Sequence, residues 1–265
     1  MKTRIISGAV LALIGIVTGL IGGPVLWAVL LFCTLVGMYE LYRAYGIVED
    51  KKPLNPLTTA AYIGVIAYYL VLLIDRRDLL LPVLALGTML VLAVYVVNFP
   101  KYHADHVIPT IFAIFYLGVM LSFMYQSRCG EDGIHVMWLI YISAWGADTM
   151  AYFTGRACGK HKMAPVLSPK KTVEGLIGGI AGAGLFGILF SLLFNGGENL
   201  VAYFIICLCG GCISVFGDLA ASAIKRDKGI KDYGNLIPGH GGILDRFDSI
   251  LFTAPVIYFL QLLLI

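Results

Sequence analysis

Charge is scarce in this sequence: Asp, Glu, Lys and Arg make up 13% of its 265 residues, against 59% hydrophobic residues. So few charged side chains exclude a surface solvated on every side. No stretch between the apolar runs is long enough for a soluble domain. The first run follows Lys2 and Arg4, lacks a small-residue cleavage site and leads straight into a second run, so a retained helix is expected rather than a signal peptide. Nor is there a second copy of the polar pattern at 222–248 in the first half, which argues against the paired repeats of many transporters.

What is present is a series of apolar runs close to the ~20 residues needed to cross hydrocarbon. Nine can be drawn, at about 5–21, 24–44, 58–74, 79–98, 107–126, 134–154, 173–195, 199–223 and 245–265. The expected fold is all-α, a polytopic integral membrane protein of about nine transmembrane helices. It forms one integrated membrane domain, with N-terminal helices in 1–130 and a C-terminal catalytic region in 131–265. Nine spans put the termini on opposite sides. Of the 19 Lys and Arg residues, 16 then share the N-terminal side and only Arg76, Arg77 and Arg128 lie opposite. By the positive-inside bias, the N-terminus and the 155–172 and 222–245 loops are cytoplasmic. The protein is expected in the cell (inner) membrane with its active site facing the cytoplasm, and no nucleic-acid partner is expected. Cys129 is the one cysteine on the outer connections, so a disulfide framework on that face has no second member.

Several signals have ordinary explanations. Gly182-Ala-Gly184-Leu-Phe-Gly187 spells a dinucleotide fingerprint but lies inside a membrane run with no strand before it. Close helix packing explains it better, since Gly175 with Gly179 and Gly178 with Gly182 have small-xxx-small spacing. Cys207, Cys209 and Cys212 are expected as buried thiols, because a helix scatters the first two onto different faces. His103 and His106, beside Asp105, fit a solvated interfacial turn.

Acids within membrane runs are different, because an unpartnered carboxylate there is costly and marks function. Asp148 and Asp218 qualify. Asp218, Ser222 and Lys225 follow i, i+4, i+7 spacing on one helix face, with Asp218 roughly 10 Å below Lys225. Asp245 and Asp248 share a face at the start of the last run. Between them, Pro238-Gly-His240-Gly241-Gly242 forms a loop whose glycines let backbone N–H groups point at an anion. Carboxylates, lysines and a glycine-rich turn together suggest phosphate chemistry around a hard divalent ion. The 155–172 connection adds Arg156, Lys170 and Lys171, with Ser168 expected to cap a helix beginning at Pro169, a helix N-terminus suited to a triphosphate.

With these residues in view, the C-terminal half resembles the phosphatidate cytidylyltransferase family, also called CDP-diacylglycerol synthase. The signature is carried by Ser222, Lys225, Arg226, Lys231, Asp232, Pro238, His240, Gly241, Gly242, Asp245, Arg246 and Asp248. Upstream it is joined by Asp148-x-x-Ala151-Tyr152, Gly155-Arg156, Ser168-Pro-Lys170-Lys171-Thr172-x-Glu174-Gly175 and Gly217-Asp218. The resemblance implies that CTP and phosphatidic acid give CDP-diacylglycerol and pyrophosphate. It implies Mg2+ as cofactor, with a second metal or a monovalent cation as a further candidate. Asp218, Asp245 and Asp248, joined by Asp148, are then the metal residues. Lys225, Arg226, His240, Asp245, Arg246 and Asp248 are the catalytic set. Arg156, Ser168, Lys170, Lys171, Thr172, Glu174, Ser222, Lys231, Gly241 and Gly242 contact substrate. Membrane lipid is a partner, and a homodimer is a candidate assembly. A CTP-dependent polyprenol kinase and an ion-coupled transporter are the alternatives.

Overall fold

All nine apolar runs are helical in the computed structural model, which describes residues 2–130 and 132–265, the side chains of residues 2–5 excepted. The side chains of Lys2 and Arg4, counted in the charge split, lie outside the described residues. The elements are α1 Lys2–Ile21, α2 Gly23–Ala44, α3 Pro56–Leu73, α4 Leu80–Val97, α5 Ala104–Ala113, α6 Met120–Arg128, α7 Gly133–Tyr141, α8 Ala147–Cys158, β1 Lys162–Ala164, β2 Ser168–Thr172, α9 Val173–Phe194, α10 Leu200–Asp227 and α11 Leu244–Leu264. The fold is an all-α polytopic membrane protein with a single two-stranded hairpin among the described residues.

Seven helical stretches among the described residues are long and apolar enough to cross a membrane, two fewer than the nine runs. The described apolar part of α1, Ile6–Ile21, is short. The helical run Gly133–Cys158 carries His135, Asp148, Thr149 and Arg156, and it is not among the seven. On α4, Leu81, Leu86, Met89, Val96 and Val97 are exposed, an apolar face suited to lipid rather than water.

The chain divides into two compact units, one of Met1–Gln126 with Ile230–Arg246 and the other of Ser127–Gly229 with Phe247–Ile265. The segment 230–246 thus groups with the N-terminal helices. In the first unit, α3 opens on a capping box, with the Asn55 side chain accepting from Thr58 N–H at 3.0 Å and Pro56 in the first turn. Gly64 of α3 and Gly87 of α4 bring two backbones together, since a Cβ on either would lie 3.0 Å from the other's Cα. A buried polar pair, Thr34 with Tyr69 at 2.8 Å, ties α2 to α3.

In the second unit α9 packs between α8 and α10 through its small residues. A Cβ on Gly178 or Gly182 would collide with Thr154 or Met150 of α8, and one on Gly184 or Gly187 would strike Phe204 or the Tyr203 carbonyl of α10. This is the packing role expected of the glycine run. Of the three clustered cysteines only Cys207 is buried; Cys209 is half-buried and Cys212 exposed. The helix carries them to different faces, so the expectation of three buried thiols holds for one. His103 is the cap residue of α5 and His106 lies in its first turn, where the His103 amide donates to His106 Nδ1 at 3.3 Å. Just before α8, Ile142–Gly146 is wound as a π-helix, a one-residue irregularity that re-aims the side chains after it, Asp148 first among the charged ones.

Candidate active site

In the second unit a pocket of about 410 Å³ is lined by Asp148, Tyr152, Arg156, Met163, Ser168, Lys170, Lys171, Thr172, Leu176 and Val215, with Ala151, Gly155 and Gly175 between them. It arises from the hairpin. β1 and β2 pair antiparallel, Lys162 opposite Thr172 and Ala164 opposite Ser168. That ladder binds the backbone of 168–172, so Ser168 does not cap a helix and Pro169 does not begin one. The helix starts instead at Val173, and Thr172 is its cap, extended in backbone and accepting the Gly175 N–H at 3.1 Å. The lysines expected beside a helix N-terminus are therefore on the strand that leads into it.

Glycines make room for this cap. A Cβ on Gly155 or Gly175 would lie 3.0 or 2.9 Å from the Thr172 hydroxyl, so α8, the hairpin and α9 close around that side chain. Glu174 faces the hairpin rather than the pocket. It accepts the Lys160 N–H at 3.0 Å and the His161 N–H at 3.2 Å, and its other oxygen meets His161 Nδ1 at 2.6 Å. Its role here is to hold the 159–161 turn to α9.

Lys171 lines the pocket and forms an ion pair with Asp218 of α10. Ser222, one turn on, lies 3.3 Å from the Asp218 carboxylate, as the i, i+4 spacing requires. Lys225 is 9% exposed and follows on the same helix, whereas Arg226 is exposed. Asp148 is exposed and Asp218 half-buried, so neither acid is sunk in protein. Gly217 lets α11 come close to α10: a Cβ there would lie 3.1 Å from Ser249 Cα and against the Asp248 carbonyl. Asp248 thus starts from backbone packed beside the residue preceding Asp218, and its Oδ1 accepts the Ser249 N–H at 2.8 Å.

The signature loop of the first unit is built differently. Gly239 and Gly241 have φ of 78° and 88°, values that favour glycine. Asp245, 5% exposed, places Oδ2 2.8 Å from the Tyr233 amide and 2.9 Å from the Gly242 amide. The next two amides, Ile243 and Leu244, donate at 3.0 and 2.9 Å to the two oxygens of Glu40 on α2. Of the loop amides expected to point at an anion, that of Gly242 is thus bonded to one of the chain's own carboxylates. His240 meets the Ser7 hydroxyl through Nδ1 at 2.8 Å, and that hydroxyl lies 2.9 Å from the Pro238 carbonyl. Lys231 is exposed and Arg246 half-buried.

The pocket therefore gathers Asp148, Arg156, Ser168, Lys170, Lys171 and Thr172, with Asp218 and Ser222 reached through Lys171. Lys231, His240, Gly241, Gly242, Asp245 and Arg246 lie in the other unit. Glu40 was overlooked in the sequence, although the rule that singled out Asp148 and Asp218 applies to it: it is an acid inside an apolar run.

In neither unit, among the described residues, do three His, Cys, Asp or Glu side chains gather as a ready-made metal centre. A hard divalent ion does not need one, because it is commonly held by one or two carboxylates together with substrate phosphates. Asp218 and Asp248, oxygen donors on two helices joined at Gly217, fit that requirement.

Helices that cross a membrane and a pocket of cations beside carboxylates mark a membrane enzyme of phosphate chemistry. More particularly, the chain matches the cytidylyltransferase family over residues 2–264 and belongs to that family of nucleotidyltransferases. It is similar to the phosphatidate cytidylyltransferase of Bacillus subtilis (strain 168), 32% identical over 271 aligned positions covering 98% of this chain and 97% of the relative. The phosphatidate cytidylyltransferase of Staphylococcus epidermidis (strain ATCC 12228) is 28% identical over 97% of each chain. That of Staphylococcus saprophyticus is 39% identical over 55% of each.

Proposed function

We propose that the protein transfers the cytidylyl group of CTP to phosphatidic acid, giving CDP-diacylglycerol and pyrophosphate. A phosphate oxygen of the lipid attacks the α-phosphorus of CTP, and the bond from that phosphorus to the bridging oxygen of the β-phosphate breaks. The nucleophile is already an anion, so the barrier lies in bringing two anions together and aligning them for in-line displacement. Lys170, Lys171 and Arg156 hold the CTP phosphates in the pocket, and Lys225 and Arg226 serve the lipid phosphate or the leaving pyrophosphate. Lys231, His240, Asp245 and Arg246 are assigned to the reaction by the signature they belong to. A divalent cation, with magnesium the candidate, would be held by Asp218 and Asp248 and would neutralise charge on the phosphoryl oxygens.

The observation that carries this reading is the Lys171–Asp218 pair at the pocket wall. It places a cation for phosphate and an acid for a metal side by side, each neutralising the other until substrate arrives. The test is turnover of labelled CTP by purified protein, with phosphatidate or a polyprenol as acceptor. Labelled CDP-diacylglycerol from phosphatidate is expected; phosphoryl transfer to the polyprenol instead would replace the reading.

The reacting centre faces the cytoplasm, where CTP is dissolved while the lipid keeps its acyl chains in the leaflet. Counted over nine spans, the 16 to 3 distribution of Lys and Arg supports this orientation. Tags at the N-terminus or within 222–245 should report cytoplasmic and tags near Gly196 or at the C-terminus external; both termini on one side would overturn the arrangement. A homodimer stays part of this reading, and native mass spectrometry in detergent checks it.

A further inference from the structure

Glu40 belongs to the second helix of the chain, far in sequence from every motif that carries chemistry, yet it is 3% exposed and both its oxygens are used by the signature segment. Its Oε1 accepts the Ile243 N–H at 3.0 Å and its Oε2 the Leu244 N–H at 2.9 Å. These are the amides that open α11, groups with no intrahelical acceptor, and a carboxylate at that end also meets the positive end of the helix dipole. The fit is tight. A Cβ on Gly242, or on Gly234 across the loop, would run into the Glu40 carboxylate. The glycine at 242 thus makes room for an acid from another helix. Asp245 then holds the Tyr233 and Gly242 amides. Arg43, one turn after Glu40, donates to the Tyr233 carbonyl at 2.8 Å.

We infer that Glu40 is a positioning residue: its two-oxygen grip on Ile243 and Leu244 fixes the segment that presents His240, Asp245 and Arg246. The assignment rests on the proposed role of that segment in cytidylyl transfer. A carboxylate fits this grip, because each of the two N–H donors has an oxygen of its own. The amide of glutamine offers one acceptor and turns an NH2 group towards the second donor.

The test uses the full-length protein in detergent micelles with CTP and phosphatidate. Glu40→Gln should insert and fold, lose at least ten-fold in kcat and keep its KM for CTP within two-fold. Amide hydrogen exchange of the 236–248 region should quicken while that of α9 stays unchanged, and Glu40→Asp should recover part of the loss. Should Glu40→Gln fail to fold, Gly234→Ala presses on the same carboxylate from the loop side, and the same pattern of kcat, KM and exchange is expected. Asp245→Asn separates this inference from the reading beneath it. If Asp245→Asn is as active as the unaltered protein, the segment is not part of the reaction. If Asp245→Asn is impaired while folded Glu40→Gln keeps full kcat, or if activity falls only in proportion to the folded fraction, Glu40 does not position the site.

Discussion

The pocket of the second unit and the signature loop of the first are both rich in acids, but their acids have different partners. Asp218 faces a lysine side chain, itself half-buried at a pocket wall, as its partner. Glu40 and Asp245 face backbone amides at four positions and are nearly inaccessible. An ion pair between side chains can exchange partners at the cost of two rotamer changes. Carboxylates bonded to backbone cannot do so without unmaking the loop. One region can exchange partners, and the other is fixed.

The comparison breaks first at Asp218. Asp218→Asn removes the counter-ion of Lys171 and a proposed metal ligand together, so a loss of about 10²–10³ in kcat/KM is expected, read as turnover over a magnesium titration. Asp248→Asn should shift the same titration to higher magnesium. Unaltered magnesium dependence in active variants would remove both acids from the site. Lys171→Ala is next, with about 2–4 kcal/mol of transition-state stabilisation lost if the ammonium meets phosphate in a water-poor pocket. The double variant with Asp218→Asn sharpens this, because two partners in direct contact should give non-additive losses. Strict additivity would mean that the pair is incidental.

Smaller effects follow where packing rather than charge is touched. Gly178→Ala drives a methyl into the β-branched Thr154 and should lower stability by about 1–3 kcal/mol, seen as a lower Tm in detergent, with KM of the folded protein little changed. Least of all, Asp50→Asn removes the partner of Arg43 in a surface pair at 3.3 Å whose acid is 76% exposed. That change should stay within about 1 kcal/mol and leave turnover nearly as before.

The membrane class, the helical runs and the polar residues of the pocket were legible because hydropathy and short motifs are local. The cap of α9 was misplaced because Ser168-Pro169 has the local pattern of a helix start. The ladder that makes 168–172 a strand depends on pairing with 162–164, which no capping pattern records. The destination of the loop amides was illegible for a stronger reason. Gly242, Ile243 and Leu244 advertise donors, but which acceptor reaches them is decided by a side chain 203 positions away from Ile243. Glu40 itself was within reach, had the acid in the second apolar run been weighed like those in the later ones.

That separation also has a consequence in time. The chain is made from the N-terminus at about 5–20 residues per second, so α2 is complete some 10–40 s before Ile243 and Leu244 exist. Throughout that interval Glu40 is held in a nascent bundle without the two amides that later satisfy it. The first unit is finished only when residue 246 has been added, because its last segment follows the whole of 127–229. No contiguous fragment of the gene encodes either unit alone. Assembly of the first unit therefore waits for its last segment, and a ribosome stalled between residues 40 and 243 leaves Glu40 without both of the amides that it holds.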